Sequence, residues 1–300
     1  MSFIREVNSK CDSFEHLIIK HPCLSRDAHF NYGRIHLPVS PACNIHCKFC
    51  TRGLNKTENK PGNARKVLTP EEAVDVLDKA LELCPEITVV GIAGPGDTLA
   101  TDHALRTFEL IHKKYPDLIK CLSTNGLLLK EYAEKIVSVG VKTVTVTVNA
   151  VDVDILEKIC SYVRYNGKYM VGKEAASWLI LAQLAGIRKI SEMGVVVKVN
   201  TVLVPGINDF HVEKIAKVTK KAGASIINLI PLIPQGAMKD IAPPSCIELN
   251  KARENVEKHL QVFRHCTHCR ADACGIPGKG YDISSLLYDN FQLEETFSHG

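Results

Sequence analysis

The sequence predicts an α/β fold, a partial (β/α)6 barrel, on three observations. Short β-branched runs alternate with helical patterns through most of the 300 residues, as they do in βαβ units with a parallel sheet. Six predicted strands are each followed by a predicted helix. Conspicuous polar and glycine residues stand at the carboxyl ends of the strands, where barrels of this kind place their chemistry.

The predicted elements follow one another in a regular order. The strands are predicted at 34–39, 87–93, 119–123, 143–149, 195–203 and 226–230. The helices are predicted at 70–83, 101–115, 127–138, 172–193, 210–222 and 248–262. Thr69 can cap the first helix, with Pro70 at its first position. Asn208 and Asp209 offer a similar start for the helix from 210.

Composition narrows the class of protein. The chain is 45% hydrophobic and 23% charged, which is ordinary for a globular protein. Its 37 basic and 33 acidic side chains give a net charge of +4, too small to indicate nucleic-acid binding. No apolar stretch reaches membrane-spanning length, and the N-terminus lacks the apolar core of a signal peptide. We therefore expect a cytoplasmic protein that binds neither nucleic acid nor membranes.

Three cysteines at C-x3-C-x2-C spacing form the most specific motif. Cys43, Cys47 and Cys50 lie just after the first predicted strand. Three thiolates on one loop suit an iron–sulfur cluster that keeps one iron open for a small molecule. Structural zinc normally fills all four positions, and buried cysteines can also be plain core residues. Both alternatives remain open, but the motif favours an enzyme.

Other cysteines suggest further metal chemistry. His265 and Cys266 begin a second group, in which Cys269 completes a C-x2-C pair and Cys274 follows five residues later. This group could bind a second cluster or structural zinc. His21-Pro22-Cys23 is ambiguous, and Cys121 within a predicted strand would by default be a small core residue. Cys11, Cys84, Cys160 and Cys246 have no spaced partner and receive no role.

Two kinds of residue at strand ends are candidates for binding a small-molecule cofactor. Gly94 and Gly96 allow close approach of a ligand, and Asp97 could accept a hydrogen bond from it, although an ordinary turn is the alternative. Uncharged amides suit ribose hydroxyls and carboxylates. For these amides a turn or a satisfied interior amide is the alternative. The candidate amides are Asn125, Asn149 and Asn200.

These motifs together resemble the radical S-adenosylmethionine (SAM) superfamily and, within it, the NifB family of nitrogenase cofactor biosynthesis. The likeness covers 18–280 in one order, with matching motifs at 21–23, 42–47, 91–97, 149–152, 198–200, 205–209, 228–233 and 269–273. Two departures stand out. Many members carry a further cysteine soon after the third cluster ligand, and 51–63 contains none. The chain is also too short for a NifX-like domain, so it is similar to the compact archaeal type.

The resemblance implies a specific activity. The enzyme, of lyase or transferase type, would fuse two [4Fe-4S] modules and insert a SAM-derived carbide, giving the eight-iron precursor of the nitrogenase cofactor. Its cofactors would be SAM and a [4Fe-4S] cluster held by Cys43, Cys47 and Cys50. Two further clusters would be its substrate modules. Cys266 and Cys269 would anchor one module, and His21, Cys23 and Cys121 are candidates for the other. Cys274 is doubtful as a ligand, and no catalytic side chain is assigned.

Partners and alternatives follow from the same resemblance. We expect iron–sulfur cluster donors, an electron donor such as ferredoxin or flavodoxin, and carrier or scaffold proteins for the product. One alternative is a radical SAM enzyme whose auxiliary cluster acts on an organic or peptide substrate, and another is a non-enzymatic metal scaffold. The expected organisation is an N-terminal extension at 1–33, a radical SAM barrel at 34–235, a C-terminal cluster-binding segment at 236–280 and a poorly ordered tail at 281–300.

Overall fold

A twisted, mostly parallel sheet forms the centre of the molecule. The computed structural model describes residues 17 and 19–288. In chain order the strands are β1 (Gly33–His36), β2 (Ile45–Cys47), β3 (Gly53–Leu54), β4 (Asn63–Ala64), β5 (Ile87–Ile92), β6 (Ile119–Thr124), β7 (Val141–Thr147), β8 (Cys160–Tyr165), β9 (Lys168–Val171), β10 (Val196–Leu203), β11 (Ile226–Pro231), β12 (Gln261–Val262), β13 (Cys274–Ile276) and β14 (Tyr281–Asp282).

Helices cover the outer face of this sheet. They are α1 (Arg26–Asn31), α2 (Pro70–Leu83), α3 (His103–Lys114), α4 (Leu129–Ser138), α5 (Val153–Ile159), α6 (Gly172–Glu192), α7 (Val212–Ala222), α8 (Cys246–Glu257) and α9 (Ser284–Tyr288). The predicted bounds of α2 are confirmed, because Thr69 and Glu72 form a reciprocal capping box and Pro70 opens the helix. Within the described residues, no helix is both long and apolar enough to span a bilayer.

The predicted (β/α)6 order is confirmed in the main sheet. Strands β1, β5, β6, β7, β10 and β11 lie side by side and pair in parallel. Parallel strands bring their carboxyl ends to one edge, so the residues that follow them collect there. The fold is therefore the α/β partial barrel expected from the sequence.

Successive strand residues point to opposite faces of the sheet, which separates the core from the barrel interior. Outward residues such as Ile35, Val144 and Val199 join the main hydrophobic core under the helices. Their neighbours Arg34, Thr143 and Lys198 occupy the opposite face and are also buried. The interior of the barrel therefore carries buried polar side chains beside a small apolar cluster, whereas the outer core is aliphatic.

A hairpin inserted between β7 and α6 was not predicted. Strands β8 and β9 pair antiparallel around Asn166 and Gly167, whose φ angles of 48° and 76° suit a type I′ turn. β2 adds to the same small sheet, with Cys47 opposite Cys160. The hairpin therefore covers the loop that carries the three spaced cysteines.

The C-terminal region differs from the sequence prediction in two places. The helix predicted at 248–262 begins at Cys246 and ends at Glu257, and 261–262 instead form β12, which pairs in parallel with β11. The disordered tail predicted from 281 is wrong for 281–288, which form β14 and α9, with Tyr288 buried. The rest of the predicted tail lies outside the described residues.

Candidate active site

The three spaced cysteines lie at the carboxyl edge of the barrel. Cys47 is in β2, and the Cys50 amide donates to the Cys47 carbonyl oxygen at 2.9 Å. Burial raises the pKa of Cys43 to about 12, and the nearby Asp97 carboxylate and Cys50 thiol add to the effect. The pKa of Cys47 is raised well above its usual value by burial and by the neighbouring Cys160, Cys50 and Cys43 thiols. The thiols are thus close enough to interact electrostatically.

This donor set fits an iron–sulfur cluster better than isolated core cysteines. Three part-buried thiols sit on one loop, and each would lose its proton to a metal. Among the residues that the structure describes, no three His, Cys, Asp or Glu side chains surround the position of a single metal ion. A [4Fe-4S] cluster places each thiolate on a different iron, so its ligands need not converge on one point.

The glycine-rich loop is fixed against the cysteine loop by its backbone. The Gly96 amide donates to the Ser40 carbonyl oxygen at 2.7 Å, and the Asp97 amide donates to the Ala42 carbonyl oxygen at 2.8 Å. A Cβ at position 96 would collide with that Ala42 oxygen. Gly94 has a φ of 137°, a conformation that favours glycine. The glycines are thus needed for close contact between two loops, whether or not a ligand also approaches them.

The Asp97 side chain holds the glycine-rich loop and the end of β6 together. Its buried carboxylate accepts from the Thr124 hydroxyl at 3.0 Å and from the amides of Asn125 and Leu99 at 2.5 and 3.0 Å. Burial raises the pKa of this carboxyl group, and the hydrogen bonds oppose that rise. The carboxylate therefore ties the end of β6 to the glycine loop, as the turn alternative requires.

Asn125 lies beside the first of the three spaced cysteines. Its Nδ2 donates to Asn44 Oδ1 at 2.6 Å and lies 3.9 Å from Cys43 Sγ. Its Oδ1 accepts from the Leu127 amide at 2.8 Å, and Gly126 has a φ of 84°. The predicted Asn-Gly turn is present, and it brings the amide to the first cysteine.

The other two amides are engaged within the protein. Asn149 is buried, and its Oδ1 accepts from the Val202 amide at 3.0 Å. Asn200 Oδ1 accepts from Asn228 Nδ2 at 3.3 Å. These contacts agree with the interior-amide alternative, and a cofactor role for either residue stays a prediction.

A second group of thiols lies inside the barrel, formed by Cys23, Cys121 and Cys269. Burial raises the pKa of Cys23 to about 11, with opposing contributions from Lys198 and Arg34 and further increases from Cys269 and Cys121. The three come from the N-terminal extension, β6 and the C-terminal segment. Cys121 and Cys266 also pack against one apolar cluster. The structure therefore brings together residues that are far apart in sequence.

His21 lies beside this group. Its Nδ1 accepts from the Cys23 amide at 3.1 Å, and its Nε2 is 3.2 Å from the Thr143 hydroxyl. Burial lowers its pKa to about 3, and Lys198 and His36 lower it further. The ring is therefore neutral, as a metal ligand must be, but it would have to give up one of these contacts to bind a metal.

Two cations that we did not identify from sequence as site residues line the same interior. Arg34 Nη2 donates to Cys269 Sγ at 2.8 Å. Burial favours the neutral Cys269 thiol, but Arg34 and a hydrogen bond from Thr267 outweigh it and lower its pKa. Lys198 Nζ donates to the Cys23 carbonyl oxygen at 3.3 Å. The alternation of Arg34 and His36 with apolar residues in β1 was the available sequence signal.

An ion pair anchors the C-terminal segment near the cysteine loop. Arg270 donates from Nε and Nη2 to the Asp272 carboxylate at 2.7 and 3.1 Å. Its guanidinium also donates to the carbonyl oxygens of Glu58 and Asn55 at 2.6 and 2.7 Å. Since Cys269 directly precedes Arg270, these contacts fix its position.

The remaining cysteines lie elsewhere. Cys274 is in the main core, where burial and then Cys84 raise its pKa, and this position agrees with a core residue. Cys160 lies opposite Cys47, a neighbour that sequence spacing could not reveal. Cys246 is exposed. Cys11 lies outside the described residues.

Comparisons with known proteins agree with this geometry. The radical SAM superfamily model matches residues 37–219. The chain is 49% identical to the FeMo cofactor biosynthesis protein NifB of Methanocaldococcus infernus over 269 residues, which cover 89% of each chain. Identity to the protein of the same name from Methanocaldococcus jannaschii is 49%, over 89% of this chain and 90% of that one.

The chain is also similar to a longer relative and to solved structures. NifB of Chlorobaculum tepidum is 41% identical over 87% of this chain, and the match covers 63% of that protein. A radical SAM methyltransferase from Sphaerobacter thermophilus has a TM-score of 0.55 at 21% identity, covering 76% of this chain and 64% of that one. Methylornithine synthase (PylB) gives 0.52 at 12% identity, covering 78% and 65%. These two structures support the fold alone.

Proposed function

The chain belongs to the NifB family of radical SAM enzymes of FeMo cofactor biosynthesis, and we propose that it builds the eight-iron precursor of that cofactor. Two [4Fe-4S] units are its substrates, and a carbon from the SAM methyl group becomes the central carbide. An additional sulfur must come from another source. Cluster donors supply the units, a ferredoxin or flavodoxin supplies electrons, and a carrier or scaffold protein accepts the product.

One observation carries this proposal: thiols from three distant segments meet in the same barrel interior. The Cys121 and Cys269 thiols both raise the pKa of Cys23, and His21 is hydrogen-bonded to the Cys23 amide. A single radical SAM cluster needs only the three cysteines at 43–50. The second group therefore gives the substrate units ligands of their own, although the division of ligands between the two units stays a prediction.

The residues at the carboxyl edge of the barrel would bind the radical SAM cluster and SAM. Cys43, Cys47 and Cys50 would hold the radical SAM cluster, which with SAM supplies methyl transfer and a 5′-deoxyadenosyl radical. The hydrogen bonds from Gly96 and Asp97 fix the backbone before Cys43. Asn125 approaches Cys43 and orients Asn44.

Reconstitution followed by single substitutions tests the proposal. Anaerobically reconstituted protein should bind more than four iron atoms per chain. With SAM, dithionite and a source of the additional sulfur, it should form 5′-deoxyadenosine and a product that activates cofactor-free nitrogenase. Cys43→Ala should abolish SAM cleavage. Cys269→Ser should lower iron content and abolish the activating product, whereas Cys246→Ser, at an exposed cysteine, should behave like the wild type.

The organic-substrate alternative predicts a different result. An auxiliary cluster that only binds an organic molecule keeps its four irons through turnover, so no eight-iron product leaves the protein. A metal scaffold without enzymatic activity would form no 5′-deoxyadenosine under reducing conditions. If the reconstituted protein cleaves SAM but never activates cofactor-free nitrogenase, the proposed cluster fusion is wrong.

A further inference from the structure

Two cations are buried in the barrel interior and, among the described residues, are not paired with a carboxylate. Arg34 in β1 is 5% exposed and Lys198 in β10 is 7% exposed. In the described part of the chain, neither residue forms a salt bridge with a carboxylate. A buried charge without a partner is costly, so their position calls for a negatively charged group.

The Arg34 guanidinium is directed at the second thiol group. Its Nη2 donates to Cys269 Sγ at 2.8 Å, and its Nη1 donates to the Gly275 carbonyl oxygen at 3.4 Å. Its Nε is buried and, within the described residues, has no hydrogen-bond partner. An arginine side chain keeps its charge at any working pH. One strong donor is therefore left available beside a candidate cluster ligand.

Lys198 differs from another buried lysine of this chain. The Lys120 ammonium is fully buried and donates to the carbonyl oxygens of Tyr115, Pro116 and Leu118 at 3.0, 3.2 and 3.0 Å. Lys198 Nζ instead donates to the Cys23 carbonyl oxygen at 3.3 Å and lies 5.4 Å from the centre of the Phe263 ring. Lys120 closes a turn with its three carbonyl bonds, whereas Lys198 makes a single carbonyl bond, to the backbone of Cys23.

We propose that Arg34 and Lys198 are positioning residues that hold the iron–sulfur units of the barrel interior by charge, with Arg34 Nε donating to a unit bound through Cys269. The inference rests on the proposed function. A [4Fe-4S] unit held by three thiolates is anionic, and a unit with any number of thiolates gains one more negative charge on reduction. Nearby cations therefore stabilise the reduced unit most, and they raise its reduction potential.

The test uses a full-length parent in which Cys43, Cys47 and Cys50 are all alanine, so that only clusters in the barrel interior are observed. Bound iron and EPR-monitored redox titration are compared for Arg34→Gln, Arg34→Lys and Lys198→Met in that parent. Arg34→Gln should shift the reduction equilibrium toward the oxidised form at least tenfold, which is 59 mV more negative for a one-electron couple. Lys198→Met should shift it in the same direction.

The controls distinguish the effect of removing a charge from the effect of a folding defect. Arg34→Lys keeps the charge and should stay closer to the parent than Arg34→Gln. Arg106→Gln removes an exposed guanidinium paired with Glu71 and should leave the potential unchanged. Thermal unfolding of each metal-free variant shows whether it folds. Should Arg34→Gln fail to fold, Lys198→Met alone decides the question.

The outcomes distinguish this inference from the function on which it rests. A parent that binds no iron–sulfur cluster would overturn the second ligand group of the proposed function and this inference with it. A parent that binds clusters whose potential and iron content are the same in the folded charge-removing variants would overturn the inference alone. A tenfold shift with Arg34→Gln, diminished in Arg34→Lys, supports it.

Discussion

Replacement of Gly96 by alanine tests how the two loops of the carboxyl edge depend on each other. The added Cβ collides with the Ala42 carbonyl oxygen and crowds the Ser40 carbonyl oxygen. The cysteine loop would have to move by about 1 Å or more to restore normal contact. That movement separates the Gly96 amide from Ser40 and the Asp97 amide from Ala42.

The magnitude of the effect follows from those contacts. Loss of two backbone hydrogen bonds costs about 1–3 kcal/mol. Overpacking of a close backbone contact adds about 1–3 kcal/mol. The free energy of unfolding of Gly96→Ala should therefore fall by about 2–6 kcal/mol. Because the shifted backbone leads directly into Cys43, SAM cleavage by the reconstituted protein should fall more than tenfold.

Anaerobic urea unfolding of the metal-free protein measures the first effect, and 5′-deoxyadenosine formation measures the second. Gly53→Ala is the matched control, since a Cβ there meets side-chain atoms of Asn63 and Asn55 at ordinary distances of 3.4 and 3.5 Å. If Gly96→Ala unfolds within about 0.5 kcal/mol of Gly53→Ala and cleaves SAM equally well, close contact between the loops does not explain the glycine.

Three further predictions concern the hairpin, pH and iron. Gly167→Ala places a Cβ at a φ of 76° and should lower the free energy of unfolding by about 1–2 kcal/mol in urea titrations. Burial, then Arg34, lowers the pKa of His36 to about 3. As the pH falls below 6.5, His36 therefore binds a proton in the unfolded state but stays neutral in the folded state. The free energy of unfolding should then fall by about 1.4 kcal/mol per pH unit. His36→Gln should remove that part of the slope, and an unchanged slope contradicts the reasoning. Cys269→Ser should lower reconstituted iron while Cys274→Ser should not, as a colorimetric iron assay will show.

Local sequence signals were sufficient to predict the barrel. Some of these signals, however, were not used in the prediction. Thr69 and Pro70 defined α2 because a capping box acts within a single turn. The β8–β9 hairpin was missed although Asn166-Gly167 between β-branched and aromatic residues is a strong turn signal. Strand β12 has two residues, too few for a periodic pattern, and it exists through its pairing with β11. Such an element depends on tertiary contacts.

The candidate site was predictable where its residues are close in sequence. Spacing alone identified Cys43, Cys47 and Cys50, because one loop carries all three. Spacing could not show that Cys160 lies opposite Cys47, since the hairpin creates that contact. Arg34 was overlooked because its alternation with apolar residues in β1 does not by itself reveal a partner. Its importance appears only when the C-terminal segment places Cys269 against it.

The pairing of β1 with β13 also determines when the two cysteine groups can form during synthesis of the chain. Ile35 pairs with Cys274 and Arg34 with Gly275, so the C-terminal segment covers one side of β1. A ribosome completes the loop at 43–50 long before it reaches Cys269. Until then β1 is an open sheet edge with unpaired backbone groups. The cysteine loop at 43–50 is therefore complete early in synthesis, whereas Cys23, Cys121 and Cys269 come together only after nearly the whole polypeptide has emerged.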